Sequence, residues 1–225
     1  CEILLHVDHV QAHAETYTGL VEVGVGLVPG WGGCKEMILR AQEKERKAYA
    51  KVSAEVNDGK PIWFSPDVTP MGAAREAFGV IGTAQVAKSA QEAKSIGYFR
   101  ETDGVTMNRD RLLYDAKKKA LELAKDYTPP EKVKEIRLAG KGGKAALDLA
   151  VADYEKNGMA TPYDVVVSGH LSTILTGGDK GDWTNPISED DMLKLEFNEF
   201  MKLVRKQGTI ARVEHMLEKG KPLRN

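Results

Sequence analysis

Two glutamates near the start of the sequence lie among apolar neighbours. Glu2 directly precedes the apolar residues 3 to 5, and Glu22 lies inside an apolar run from 20 to 28 that we expect to be buried. A carboxylate that loses water beside apolar groups has a raised pKa, and two such acids close together could act as general acid and general base. The same pattern also fits a simpler interpretation, in which one acid caps a helix and the other lies on a solvated edge.

A glycine-rich turn, Pro29-Gly30-Trp31-Gly32-Gly33, follows this run and precedes a predicted helix. Glycine lets the backbone come close to a ligand, and the first turn of a helix offers free N–H groups and a partial positive charge. The turn could therefore bind a carbonyl or phosphate oxygen, with Gly30 as the candidate residue. An ordinary connection between two buried elements has the same composition.

The histidine and cysteine residues give weaker indications of a functional site. His6, His9 and His13 could place two rings on one helix face, but a metal site needs three or four converging ligands, and we expect no metal here. Cys34 lies near a predicted helix start, where a thiolate is favoured. No histidine is close to it in sequence, so we interpret Cys34 as a packed core residue rather than a nucleophile.

Composition narrows the class of protein. The 225 residues have a formal net charge of -1, which argues against a nucleic-acid surface. Two cysteines are too few for a disulfide framework, and no apolar run reaches the roughly 18 residues of a membrane span. We expect a cytoplasmic protein with reduced thiols and no membrane span. Because the sequence opens without a methionine, we also expect it to be a fragment.

Helix dominates the predicted elements. Residues 2 to 14 favour a helix and then a strand, and the connection from 57 to 70 carries the aromatic pair Trp63-Phe64, which we expect to pack in the core or against another subunit, like Phe197 and Phe200. Further helices are predicted at residues 35–56, 71–78, 84–96, 108–127, 142–157 and 189–218. A break is predicted at 79–83, and Pro129-Pro130 is the candidate domain boundary.

Several segments resemble enoyl-CoA hydratases of the crotonase superfamily. Cys1-Glu2 resembles the end of a Gly-Gly-Gly-Cys-Glu segment of that family, and residues 19–33 resemble its second acidic segment. The two glutamates are twenty positions apart, as in the family's catalytic pair. Residues 89–97 and 217–222 are similar to its Ser-Ala-x-x-Ala-x-x-x-Gly helix and to its C-terminal Lys-Pro segment.

The resemblance is nearest to a bacterial 3-hydroxyacyl-CoA dehydrogenase type, on Cys34-Lys35-Glu36-Met37 and on residues 106–112. It implies an α/β fold, namely the C-terminal part of a crotonase-like spiral, helix-rich here. Residues 1–130 would be a truncated catalytic region and 131–225 a helical extension. The parent would be a fatty-acid β-oxidation enzyme with a dehydrogenase half before this chain, and we expect contact with that half and a homo-oligomer.

The implied reaction is reversible hydration of a trans-2-enoyl-CoA, with the acyl-CoA thioester as substrate. Glu2 and Glu22 would hold water and exchange protons with it, and the Gly30 amide would lie near the water or the thioester. In the family the N–H donors to the thioester oxygen lie before the position of Cys1, so we expect the fragment alone to be inactive. No cofactor is expected in this chain, and NAD only in the dehydrogenase half.

Two alternatives stay open. An isomerase that moves the double bond would use the same residue types for proton transfer between carbons. A non-catalytic scaffold would use the amphipathic faces at 112–124 and 193–204 to join subunits or to dock the dehydrogenase half.

Overall fold

The computed structural model describes residues 1–56 and 70–225, without the side chain of Val56. Helix dominates this part of the chain, and two small two-stranded sheets accompany it, so the prediction of a helix-rich α/β chain is confirmed. Trp63 and Phe64, interpreted as aromatic anchors, lie outside the described residues.

The chain begins with helix α1 (Glu2–His6) and strand β1 (Gln11–His13), which confirms the predicted order of helix and then strand. β1 pairs in parallel with β4 (Gly104–Thr106), and Gln11 lies opposite Gly104. Asp103 fixes this register, because its carboxylate accepts the Val10 N–H at 2.9 Å and its backbone directly precedes β4. The second sheet pairs β2 (Thr18–Gly19) with β3 (Val86–Ala87) in antiparallel fashion.

The run from 20 to 28 is buried at its ends and at Gly26, but not at residues 21 to 25. Leu20 and Val28 are fully buried, whereas Glu22–Val25 form a half-buried turn of 3-10 helix. Gly26 closes that turn with φ of 78°, a conformation that favours glycine. The expectation of a continuous buried segment was therefore wrong in its middle, and Glu22 lies on a turn at the edge of the core.

Two long helices follow. α2 (Gly33–Val56) packs against α3 (Met71–Gly82), and the small buried side chains Ala73, Ala74 and Ala77 allow close contact. The predicted break at Gly79 was wrong, since α3 continues to Gly82. Val80 and Ile81 are buried in the core, and their burial outweighs the cost of about 1 kcal/mol that an internal glycine imposes.

The next helices begin later than predicted. Residues 86 and 87 form β3, and α4 (Ala90–Ile96) begins only after the Ser89 hydroxyl caps it. Gly97 ends α4 in the left-handed conformation. α5 (Leu112–Leu123) is flanked by single 3-10 turns, and none of its residues is buried by the described part of the chain. Its predicted apolar face is therefore not covered there.

The C-terminal region contains α6 (Gly140–Lys156), α7 (Pro162–Thr176), α8 (Glu189–Val204) and α9 (Gln207–Lys219). The sequence analysis missed α7 and joined α8 to α9, which a short break at Arg205-Lys206 separates. α7 packs on α3 and α6, α8 packs on α2 and α7, and α9 contacts the turn of Glu22. In the described residues no helix is long and apolar enough to cross a membrane.

Candidate active site

Glu2 lies at the first position of α1 and reaches the beginning of α2. Its Oε1 atom accepts the backbone N–H groups of Trp31 and Gly33, each at 2.9 Å. These groups belong to the glycine-rich turn, where free N–H groups and the helix dipole favour a carboxylate. The contacts occupy one carboxylate oxygen of Glu2, so the same residue caps a helix and can still offer its second oxygen to a ligand.

A second carboxylate binds the same turn from the other end of the chain. Glu196 of α8 accepts the Gly32 N–H at 2.8 Å through Oε1 and the Lys35 N–H at 3.1 Å through Oε2. The Glu196 side chain is fully buried. Burial raises the pKa of Glu196 to about 8, because the N–H groups of Lys35 and Gly32 only partly offset the lost hydration and the charge of Glu2 adds to the rise.

Glu22 lies close enough to Glu2 to experience its charge. Burial is the main cause that raises the pKa of Glu22, its own backbone N–H opposes the rise, and the negative charge of Glu2 adds to it. The Glu22 Oε2 atom is buried and has no hydrogen-bond partner among the described residues. A buried carboxylate oxygen of this kind is a candidate contact for a ligand or a transferred proton.

Gly30, the third predicted site residue, packs against α8. A Cβ atom at this position would lie 2.9 Å from two ring carbons of Phe200, so a larger residue would require the ring to move. Within residues 1–56 and 70–225 the Gly30 N–H donates to no protein acceptor. It can therefore donate to a ligand.

The C-terminal helices hold the turn that carries Glu22. Arg212 of α9 is buried and donates to the Val23 carbonyl oxygen at 3.3 Å, while its other nitrogens bind Asp164 at 2.8 Å and Asn225 at 2.7 Å. The buried Thr209 hydroxyl donates to the Gly26 carbonyl oxygen at 2.7 Å. Both ends of the Glu22 turn are thus fixed by side chains from more than 180 positions away.

Cys34 is fully buried, as expected of a packed residue. Burial raises the pKa of its thiol well above the usual value, and the charges of Glu196, Glu22 and Glu2 add to the rise. The thiol is therefore neutral near pH 7 and unsuited to nucleophilic attack. Two of these acids, Glu2 and Glu196, bind the N–H groups at the beginning of α2.

Other features of the described chain lie apart from these acids. No group of three or more histidine, cysteine, aspartate or glutamate residues there could hold a metal ion. A shallow cavity of about 590 Å³ lies between the end of β1 and the start of α5, lined by His13, Glu15, Thr16, Met107, Asn108, Arg109 and Leu112. Glu2 and Glu22 are not among its lining residues.

The structure brings Glu2 and Glu22 into one electrostatic neighbourhood, and Gly30 lies in the turn that Glu2 binds. Glu196 and Arg212 were missed from the sequence. A signal for Glu196 was present: Met192, Glu196, Glu199 and Leu203 have the 4, 3, 4 spacing of a buried helix stripe, and all four are buried. An acid on such a stripe needs partners inside the fold. No local pattern marks Arg212.

Comparison with known proteins gives similarity along the whole chain. A probable 3-hydroxyacyl-CoA dehydrogenase from Bacillus subtilis is 35% identical over 225 residues, which is 100% of this chain and 26% of the relative. A putative fatty acid oxidation complex trifunctional enzyme from Rickettsia felis is 26% identical over 221 residues, 97% of this chain and 24% of the relative. The chain thus spans about a quarter of the length of these relatives.

No protein-family model matches the chain. Among solved structures, a carnitinyl-CoA hydratase from Mycobacterium avium superposes with a TM-score of 0.49 at 14% sequence identity, covering 98% of this chain and 56% of that one. By sequence, the chain is similar over its full length to one part of a probable 3-hydroxyacyl-CoA dehydrogenase.

Proposed function

We propose that this chain supplies the acid and the base of a crotonase-type enoyl-CoA hydratase, within a longer fatty-acid β-oxidation protein that also carries a 3-hydroxyacyl-CoA dehydrogenase. Residues 1–130 would form the later part of the hydratase region and 131–225 its helical extension. The substrate would be a trans-2-enoyl-CoA, and the protein would act in the cytoplasm as a homo-oligomer. The names of the two bacterial relatives support this assignment.

One observation carries the proposal: Glu22 has a buried, unpartnered carboxylate oxygen in the electrostatic field of Glu2. Most buried side-chain oxygens have a protein donor, and Glu22 Oε2 combines the lack of one among the described residues with a position in the field of a second acid, whereas the unpartnered Oε2 of Glu45 is not near Glu2 or Glu22 in sequence or in any contact of the described residues. Glu2 is held through one oxygen, so the pair offers one oriented acid and one acid with a raised pKa. Such a difference in environment lets two carboxyl groups serve as acid and base at the same pH.

The proposed reaction adds water across the 2,3 double bond. Glu2 takes a proton from water as the hydroxyl group forms its bond to Cβ, and the carboxyl group of Glu22 donates a proton to Cα. The raised pKa of Glu22 favours it as the proton donor. In the reverse direction the two residues exchange roles, and no net proton is gained or lost.

The thioester oxygen gains negative charge during this addition and needs N–H donors. The resemblance places these donors before Cys1. The Gly30 N–H, which has no protein acceptor in the described part of the chain, is a candidate donor at the water or thioester end. Because this chain spans about a quarter of the length of its relatives, the activity is proposed for the longer protein.

The test is hydration of trans-2-enoyl-CoA by the full-length protein carrying Glu2→Gln or Glu22→Gln. Each change should lower kcat by about 10²-fold or more, the usual contribution of a positioned acid or base. Glu101→Gln, at an exposed residue between α4 and β4, is the matched control and should retain wild-type hydration. Thermal unfolding of each variant confirms that it is folded.

Two results would reject the proposal. If Glu22→Gln retains wild-type hydration in a folded protein, the pair is not catalytic, and a scaffold role for the helices gains support. If the wild-type protein converts 3-enoyl-CoA but does not hydrate 2-enoyl-CoA, the chain belongs to an isomerase.

A further inference from the structure

Two carboxylates bind alternate N–H groups at the beginning of α2. Trp31 and Gly33 donate to Glu2, while Gly32 and Lys35 donate to Glu196. Glu2 comes from α1, at the start of the chain, and Glu196 comes from α8. The backbone that presents Gly30 is therefore held on both sides by acidic side chains.

Glu196 lies in the core, where the burial of a carboxyl group costs free energy of folding. It shares the buried stripe of α8 with Met192, Glu199 and Leu203, and its side chain is fully buried. A buried carboxyl group is tolerated when hydrogen bonds replace its hydration. Both oxygens of Glu196 are used in this way, and both donors belong to the proposed site rather than to α8.

We propose that Glu196 is a positioning residue of the hydratase site: it holds the Gly32 and Lys35 N–H groups so that the turn presents the Gly30 N–H and keeps Glu2 oriented toward Glu22. This inference rests on the proposed function of Glu2 and Glu22. Glu196 does not touch substrate in this arrangement, and it acts through the backbone of the turn. The helical extension would thus supply a necessary part of the site.

The charged groups around Glu196 agree with such a role. The negative charge of Glu2 raises the pKa of Glu196, and the charges of Glu22 and Glu196 both raise the pKa of the Cys34 thiol. The nearby cation Lys35 is engaged elsewhere, with Glu36 at 2.5 Å and Glu189 at 2.7 Å. The lost hydration of the Glu196 carboxyl group is therefore replaced by backbone N–H groups of the turn and not by a cation. The hydrogen bonds of Glu196 thus depend on the geometry of the turn.

The experiment uses the full-length protein with Glu196→Gln and Glu196→Ala. Glutamine keeps the volume and one acceptor oxygen, whereas alanine removes both. We expect kcat for hydration to fall about 10-fold with glutamine and about 100-fold with alanine, since a small misplacement of reacting groups costs up to about 10² in rate. KM should change less than about twofold, because Glu196 does not contact substrate in the proposed site.

Glu199→Gln is the matched control, because Glu199 is a buried glutamate of the same helix that binds His170 and Lys202 instead of the turn. Amide hydrogen exchange over residues 29–35 gives a readout that does not depend on activity. Exchange there should be faster in the Glu196 variants and unchanged in Glu199→Gln. Should Glu196→Ala fail to fold, the near-isosteric Glu196→Gln decides the test.

The inference is overturned if exchange over residues 29–35 is unchanged in Glu196→Gln, or if Glu199→Gln lowers kcat as much as Glu196→Gln does. A merely structural role predicts the second result. Failure of the proposed function gives a different result: Glu22→Gln would then leave hydration unchanged. The hydrogen-exchange experiment would still show whether Glu196 holds the turn in place.

Discussion

His170 of α7 and Glu199 of α8 form a close hydrogen bond, with Nδ1 and Oε2 2.5 Å apart. Lys202 binds the other oxygen of the same carboxylate, which is almost completely buried. The contact joins two helices of the C-terminal region and lies one helical turn from Glu196. The surroundings of the two buried glutamates of α8 differ: the pKa of Glu199 is lowered and the pKa of Glu196 is raised. Their contributions to the free energy of unfolding should therefore change in opposite directions with pH.

Glu199 should make the chain more stable above acidic pH. Burial would raise its pKa, but hydrogen bonds from Lys202 and His170 outweigh burial and leave the pKa lowered. A lowered pKa stabilises the fold above the unfolded value of about 4.5, and that stability is lost as pH falls through the folded value. Glu199→Gln should flatten the fall in melting temperature below pH 5 and cost about 1.5–3 kcal/mol near pH 7. Glu218→Gln, at an exposed residue of α9, should do neither.

Glu196 should show the reverse trend. Its pKa is raised to about 8, so the folded chain binds a proton that the unfolded chain has released between about pH 4.5 and pH 8. Stability from this residue is therefore greatest at low pH and declines as pH rises toward 8. Thermal unfolding from pH 5 to pH 9 should show a shallower decline in Glu196→Gln than in wild type. An identical slope in both would mean that Glu196 stays ionised throughout this range.

Arg212→Met should destabilise the chain by about 3–5 kcal/mol, because it leaves the Asp164 carboxylate without its buried cation and releases the Val23 carbonyl. Lysine should not restore stability, since one ammonium group cannot reproduce the forked contacts of a guanidinium. Arg224→Met is the control: Arg224 is exposed and lies 3.6 Å from the same carboxylate, and its loss should cost less than about 1 kcal/mol. Equal losses in urea unfolding of the two variants would contradict this assignment.

Gly32→Ala should destabilise the turn before α2. Gly32 has φ of 96°, and a Cβ atom there would meet the His6 ring, so strain and a clash add together. We expect a loss of about 1–3 kcal/mol by chemical denaturation. Gly24→Ala is the comparison, because its Cβ would meet nothing within 4 Å, and its effect should stay within about 1 kcal/mol.

The sequence analysis was most successful where local chemistry decides the structure. The predicted end of α4 at residue 96 is right, and the glycine-rich turn leads into α2 as expected, whereas the start of α4 was predicted at residue 84 and lies at Ala90. It failed at α7, although Thr161, Pro162 and Asp164 form a capping box with proline at its start, because the valines that follow favour strand as readily as helix. It failed at Gly79 because tertiary burial of Val80 and Ile81 decides that stretch.

Part of the candidate site could be predicted from the sequence and part could not. Acids among apolar neighbours at positions 2 and 22 could be recognised from composition alone. Their dependence on Glu196, Thr209 and Arg212 could not, because those contacts join residues between 161 and 189 positions apart, and only the packing of α8 and α9 creates them. Interactions over such separations leave no periodic signal in a single sequence.

A shortened version ending at Pro130 would leave the N–H groups of Gly32 and Lys35 and the carbonyls of Val23 and Gly26 without the partners they have in the fold. Residues 131–225 therefore could not be replaced by an unrelated segment without loss of the contacts that hold the turn that Glu2 binds and the turn of Glu22. Recombination that separated the first hundred or so residues from the last helices would have to rebuild this support, so the two parts should be inherited as one unit.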